Sequence, residues 1–276
     1  MSFNSNGRLK EISLDEAKMI MLDILIEFDR ISKKNNLTYW LAAGTLWGAV
    51  QYQGFIPYDD DIDISMPRDD YDKFITVYKK ELPSNLFVQT RESDPGYTHY
   101  FAKIRNTDTL FVEQSEESED IKYNQGIFID IFPVNFIDTK VTYIYPFLRF
   151  FGKLLKKNRF YLKHFDIDPY SHYIKVLNKL HGHKNNYIRI EPEFKDGFAT
   201  VSSLNHLERK DIYPLKEVVF ENYAFPIPND YDKYLRGLYG DYTTLLPPEE
   251  LEQYRHSSKI YIVYNDEDTR ADYISE

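Results

Sequence analysis

Leu41–Pro67 reads LAAGTLWGAVQYQGFIPYDDDIDISMP, and this stretch decides how the rest of the chain is read. An apolar run enters a Gly44-Thr45 turn, a short amphipathic helix follows, and a Gly/Pro loop then delivers Asp59, Asp61 and Asp63 at every second position. The alternation continues through Ile62, Ile64 and Met66, so the acids open a strand and project from one side of it. Pro57 and Pro67 bracket the segment and fix its boundaries. A DDD run of this kind usually marks a solvated turn, but here the strand periodicity argues for a site. Like charges placed so close repel unless a cation sits among them. All-oxygen carboxylate clusters suit Mg²⁺ or Mn²⁺. The Gly44-Thr45 turn stands at a strand-to-helix junction, where backbone N–H groups can meet a phosphate. Metal-assisted phosphoryl or nucleotidyl transfer is the chemistry this spacing predicts.

Working outward, the matches that carry a family resemblance fall in three ordered blocks. The first holds Tyr39-Trp40-Leu41, Gly44 to Val50, Gly54-Phe55-Ile56-Pro57, Asp59 to Asp63 and Arg68-Asp69-Asp70-Tyr71. The second is Ile129-Asp130-Ile131-Phe132-Pro133. The third holds Phe220-Glu221, Pro226 to Pro228, Leu235, Tyr239-Gly240-Asp241-Tyr242, Pro247-Pro248 and Arg255-His256. Together they resemble the LicD family over nearly the full length, least so from Val141 to Leu215. The resemblance implies a nucleotidyltransferase-like α+β fold, a mixed sheet flanked by helices with a helical insertion. It also implies the activity of the family's bacterial members, which move phosphocholine from CDP-choline onto sugars of teichoic acid or lipopolysaccharide; related eukaryotic members act on CDP-ribitol. Two positions depart from the family pattern. Tyr58 stands where tryptophan is common, and Asn135 stands where an acid often follows the Phe-Pro step, which puts any acidic role there in doubt.

Composition narrows the classes. A chain of 276 residues fits one domain, or one domain with a sizeable insertion. We expect a catalytic core over 1–140, a mainly helical insertion over 141–215 facing acceptor or membrane, and a C-terminal hairpin and helices over 216–276 that complete the catalytic domain. The chain has no cysteine, which excludes disulfides, thiolate zinc sites and Cys nucleophiles and suits a reducing cytoplasm. A net charge of −10 argues against nucleic acid as a partner. The 24 Tyr and 19 Phe suit clefts for sugars, bases and quaternary ammonium groups as well as core packing. Met1 to Lys10 is polar and reads as no signal peptide, and no uncharged apolar run approaches the ~20 residues of a bilayer span. Walker A and GxGxxG motifs are both missing from the sequence.

Local patterns predict the elements. Ser13-Leu14-Asp15-Glu16 is a capping box, and Ala17, Met21, Ile24, Phe28 and Ile31 follow with helical spacing. Strands are expected over 37–43, 61–66, 86–90, 98–105, 109–114 and 127–134, and helices over 46–51, from Asp69 or Asp70 as cap to Glu81, over 231–238 and, closing the chain, over 248–259. A hairpin is expected over 218–227. Tyr143 to Phe165 differs from its surroundings: Arg149, Lys153, Lys156, Lys157, Arg159 and Lys163 appear without an acidic partner among aromatic and aliphatic residues. It reads either as a peripheral helix on an anionic membrane surface, at the inner face of a bacterial membrane, or as a lid with solvated lysines. His181-Gly182-His183 lacks a third ligand nearby and reads as a loop.

Within this frame Mg²⁺ or Mn²⁺ is expected on Asp61 and Asp63, with Asp59 adjacent. Asp130 lies in the apolar run IFIDIF, where an unpaired carboxylate is expensive, and reads as a hydrogen-bonded core acid, a further metal ligand, or the base for an acceptor hydroxyl. Lys103 and Arg105 share one strand face and read as phosphate ligands or a solvated face. Arg255 and His256 join the candidate set through the third block, and Glu113 is a further candidate ligand. The reading chosen is Mg²⁺-dependent transfer of phosphocholine from CDP-choline to a lipid-linked glycan. Its alternatives are transfer of ribitol or glycerol phosphate from a related CDP-alcohol, an NTP-dependent nucleotidyltransferase, and a non-catalytic phospho-sugar binding module.

Overall fold

The computed structural model describes residues 8–114, 121–137, 187–190, 207–244, 247–252 and 255–264. Its centre is a six-stranded mixed sheet of order β2-β3-β7-β5-β4, with β8 also paired to β7. The strands are β2 (Trp40–Leu41), β3 (Asp63–Pro67), β4 (Leu86–Gln89), β5 (Ala102–Asn106), β7 (Phe128–Ile137) and β8 (Tyr187–Ile190). Only β3 and β7 run parallel; the remaining pairs are antiparallel. A second sheet of order β1-β11-β6 joins Arg8–Glu11, Ser257–Tyr264 and Thr109–Glu113. Strands β9 (Lys216–Phe220) and β10 (Tyr223–Ile227) form the expected hairpin. Its turn residues Glu221 and Asn222 both have positive φ, 47° and 68°, the backbone twist that a tight two-residue hairpin loop favours.

The sequence explains why the central sheet has two unlike faces. Side chains alternate along a strand. Ile62, Ile64 and Met66, Ile129 and Ile131, Ala102 and Ile104, and Val88 are all buried on one side. Helices α1 (Leu14–Lys34) and α3 (Arg68–Glu81) pack against these strands. Helix α1 starts at the capping box read from the sequence: Glu16 N–H donates to Ser13 Oγ at 3.2 Å, and Ser13 N–H donates to Glu16 Oε2 at 2.7 Å. Its spaced apolar residues are the buried ones. At the α1–α3 seam the Phe28 ring lies 4.9 Å from Tyr39, 5.8 Å from Phe74 and 5.3 Å from Tyr78. The opposite face of the sheet carries Asp63, Asp130, Lys103 and Arg105, so the helices cover the apolar face and leave the polar one for chemistry.

The structure corrects three local expectations. Helix α3 starts two or three residues earlier than expected: Pro67 is the N-cap and no side chain caps it, while Asp69 and Asp70 lie in the first turn. Asp70 is occupied elsewhere, accepting from Thr38 N–H at 3.2 Å. The apolar run before Gly44 pairs only at Trp40–Leu41, because α2 (Ala43–Tyr52) begins directly after it. The closing helix is one turn, α6 (Pro248–Leu251), and the chain then becomes β11, whose pairing with β1 and β6 outweighs the local helical pattern. The short helix α4 (Arg209–Ile212) and α5 (Tyr231–Tyr239) complete the described elements. The basic Tyr143–Phe165 stretch, the 181–183 loop and most of the proposed insertion lie outside the described residues.

Phe28 is fully buried. Phe28→Ala should cost about 3–5 kcal/mol, measured as a lower urea midpoint at unchanged slope. Met19→Ala, at a position 57% exposed on the same helix, should stay within about 0.5 kcal/mol of wild type.

Candidate active site

The site forms where β3 and β7 begin side by side. Their parallel register sets Asp63 opposite Asp130, and Asp130 N–H donates to Ile62 O at 2.7 Å. Antiparallel pairing places Lys103 on the other flank of Asp130. The loop before β3 adds Asp61 and Asp59 to the same cluster. The crowding is electrostatically expensive. Burial pushes the Asp63 carboxyl well above the usual range, and Asp61, Asp130 and Asp59 push it further. Asp59 is raised in the same way by burial and by Asp61 and Asp60, and it lies within hydrogen-bonding reach of Asp61. Burial also raises Asp61, opposed chiefly by His256.

Asp130 is 7% exposed, and burial raises its pKa to about 6 against the opposing pull of Lys103. Lys103 Nζ stands 2.9 Å from Asp130 Oδ1 and 3.2 Å from Oδ2. Only the contact to Oδ2 has hydrogen-bond geometry, so the buried Oδ1 lacks a donor. The same ammonium sits over the Phe128 ring, 3.2 Å from its centroid. Arg105 is buried two residues further along β5. Its guanidinium donates to Gln89 Oε1 at 2.6 Å and to Gly126 O at 2.7 Å, and it lies over the other reach of Phe128. Glu113, at the end of β6, adds a smaller negative influence on Asp130.

Helix α2 starts three residues ahead of the expected 46–51 and takes in Gly44 and Thr45, which hold the acids in place from its first turn. Asp63 N–H donates to Thr45 Oγ1 at 2.8 Å, and Ala42 N–H donates to Asp63 O at 2.9 Å. A Cβ on Gly44 would stand 3.0 Å from Asp59 Oδ2, so the missing side chain makes room for that carboxylate. Helix α2 has no side-chain cap at its N-terminus. From the third block, His256 Nε2 reaches to 3.8 Å of Asp61 Oδ2, an ion pair when the imidazole is protonated. Arg255 lies beside it, its Nε donating to Ser257 O at 3.2 Å. Asn135, at the position that departs from the family pattern, is buried and accepts from Arg68 Nε at 3.2 Å.

Several residues take roles that the sequence reading did not assign. Asp60 alternates to the opposite side from its neighbours and is fully buried, accepting from His256 N–H at 2.9 Å and Ser257 N–H at 2.6 Å. Glu221 accepts from Phe55 N–H at 3.2 Å, and Lys18 donates to Ile56 O at 3.2 Å. These three fix the loop that carries the acids. Tyr239 stacks its ring on Trp47 at 5.0 Å, and its hydroxyl is raised by burial first and then by Asp63, Asp59 and Asp61. The signal for Asp60 was its odd place in the alternation. The others follow only from contacts distant in sequence.

No group of three or more His, Asp or Glu side chains among the described residues is drawn into a preformed metal cage. The chemistry of the cluster nevertheless fits a hard divalent cation: its donors are carboxylate oxygens, and the pKa values rise together as expected of acids missing a counter-charge. Electrostatics gives a direct test. A carboxyl raised on folding binds its proton more tightly in the native state, so its contribution favours folding at low pH and is lost as pH climbs above the unfolded value of 3.8 toward the raised one. Asp63→Asn should therefore melt higher than wild type in EDTA, and the gap should widen from acid toward neutral pH in paired thermal melts.

A profile of the LicD/FKTN/FKRP nucleotidyltransferase domain matches residues 36–171. The chain is 26% identical over 280 residues to the lipopolysaccharide cholinephosphotransferase LicD of Haemophilus influenzae, covering 92% of this chain and all of that protein. Uncharacterized proteins of Rickettsia typhi and Rickettsia prowazekii are 39% and 37% identical over 67 residues, 24% of this chain in both cases. With its sheet and paired acids where the domain match falls, the chain carries over residues 36–171 a domain that matches the LicD/FKTN/FKRP nucleotidyltransferase domain.

Proposed function

We propose that this protein is a phosphotransferase that moves phosphocholine from CDP-choline to a sugar hydroxyl of a cell-surface polysaccharide precursor and releases CMP. The observation that carries the proposal is the pairing of Asp63 with Asp130 across β3 and β7, with Asp61 alongside, in a chain similar along its length to a lipopolysaccharide cholinephosphotransferase. Asp59, Asp61 and Asp63 are the residues to hold Mg²⁺ or Mn²⁺, which when bound neutralises the pyrophosphate and favours departure of CMP. Asp130, with a pKa near 6, takes the proton of the attacking sugar hydroxyl. A bond forms between that oxygen and the choline-bearing phosphorus, and the bond to the CMP oxygen breaks. Lys103 holds the Asp130 carboxylate in place. His256, Arg255 and the uncapped start of α2 at Gly44 and Thr45 face the nucleotide phosphates. Arg105 supports Lys103 through their shared contact with Phe128. Because little covalent chemistry is asked of the protein, positioning and charge carry the rate.

Release of CMP from CDP-choline in the presence of a glycan acceptor tests this. Mg²⁺ should be required, EDTA should abolish turnover, and Asp61→Asn should lower kcat by about 10²–10³ or more with an unchanged far-UV spectrum. Turnover surviving EDTA removes the metal. Faster use of CTP than of CDP-choline assigns the chain to NTP-dependent nucleotidyl transfer, and preference for CDP-ribitol or CDP-glycerol changes the group transferred. No helix among the described residues is long and apolar enough to cross a membrane. If the six basic residues of Tyr143–Phe165 bring the enzyme to a lipid-borne acceptor, it should co-sediment with anionic but not neutral vesicles and lose binding as salt rises.

A further inference from the structure

At the far end of β3 from the acids, a cavity of about 290 Å³ opens between α3, β7 and α4. From Asp63 to Pro67 the strand advances four residues at ~3.3 Å each, so the cavity lies about 13 Å from the carboxylate cluster and is not part of it. One wall is aromatic and cationic. The Arg209 guanidinium sits 4.8 Å from the ring centres of both Phe136 and Tyr213, and no described carboxylate pairs with it. Tyr213 is itself held at 6.4 Å by the edge of Trp40 and at 6.1 Å by Phe136, so Arg209 rests on a rigid support. The facing wall carries Asp69 and Asp70 from the first turn of α3, with Lys73 3.3 Å from Asp70.

Among the described lining residues, two carboxylates and two cations balance. A phosphate would meet Asp69 and Asp70, and an organic cation would meet Arg209 and Lys73. A neutral polyol satisfies both walls: its hydroxyls donate to the carboxylates and accept from the guanidinium, while a C–H face lies against the Tyr213 ring. The volume, near the lower end of the ~300–1,000 Å³ of small-molecule sites, admits one monosaccharide. We propose that this cavity is a sugar subsite that holds a residue of the glycan acceptor away from the one that is modified. The assignment rests on the reading of the acceptor as a glycan, and it adds a second point of attachment, which would raise the local concentration of the reacting hydroxyl at the acids.

Saturation-transfer NMR on the full chain, without donor or metal, isolates the subsite from the reaction. Galactose, glucose and N-acetylgalactosamine are the probes, and at least one should bind with a Kd on the order of 1–10 mM. Arg209→Ala should weaken that binding about tenfold or more, and Asp69→Asn should weaken it in the same direction, providing a second variant if the first misfolds by circular dichroism. Asp63→Asn should bind as wild type does. Absence of saturation transfer from all three sugars overturns the proposal. So does binding that survives both cavity variants, or binding lost in Asp63→Asn and kept in Arg209→Ala, which would put the sugar at the acids. Competition by inorganic phosphate with the bound sugar would overturn the neutral-ligand assignment. Because neither CDP-choline nor Mg²⁺ is present, failure of the transferase reading leaves this measurement standing, and its own failure leaves the transferase reading untouched.

Discussion

Four carboxylates crowd where β3 and β7 begin, with Lys103 the one buried ammonium among them in the described residues, and their mutual repulsion is the constraint around which the surrounding structure is arranged. Left to itself, the loop before β3 would swing its acids into water, where separation and solvent weaken the repulsion. It is held in place at three points: Lys18 grips Ile56 O, Glu221 grips Phe55 N–H, and Asp60 accepts two backbone N–H groups from His256 and Ser257. Asp60 is the most instructive, being itself an acid in the same run. Because it turns to the opposite side and meets two donors, its charge serves as an anchor. The same run of five residues, Asp59 to Asp63, therefore holds both the repelling groups and the group that secures them.

The two-faced sheet explains how such a site coexists with a stable core. Its apolar side is sealed by α1 and α3, whose contacts supply the packing that offsets the electrostatic cost. Lys103 marks the boundary. Its ammonium pairs with Asp130, while its stem and charge lie against Phe128. Arg105 approaches the same ring and has its donors engaged at Gln89 and Gly126. A cation so enclosed is fixed in position, which suits the orientation of a neighbouring carboxylate better than the capture of a diffusing phosphate.

Features of short range were legible in the sequence. The capping box, the spacing of Ala17 to Ile31, the hairpin at Val218–Ile227 and the alternation of Asp59, Asp61 and Asp63 each depend on neighbours within a few residues, and local chemistry fixes them. That Asp130 would join those acids was suggested by its improbable place in an apolar strand, since a buried charge needs a reason. What could not be read depends on pairing across long separations. The segment after Pro248 carries a helical pattern, yet from Ser257 it lies between β1 and β6, and only those two partners make it a strand. Asp69 and Asp70 look like caps, but Pro67 starts the helix earlier and Thr38 occupies Asp70. Asp60 could be recognised as the odd member of its run, but not as the partner of a backbone 196 positions away.

That last contact bears on how the chain comes to be active during its synthesis. The acids, Gly44, Thr45, Asp130 and Lys103 all lie within the first 130 residues and leave the ribosome with α1 and α3, around which they can fold. The loop that aims them is tied by Glu221 and, last of all, by the amides of His256 and Ser257. Contacts so distant along the chain close late. A nascent protein with its core already packed thus holds every acid of the site with the loop still free. Pairing of β11 with β1 and β6 completes the alignment, so the contacts that aim the acids form after the core that carries them.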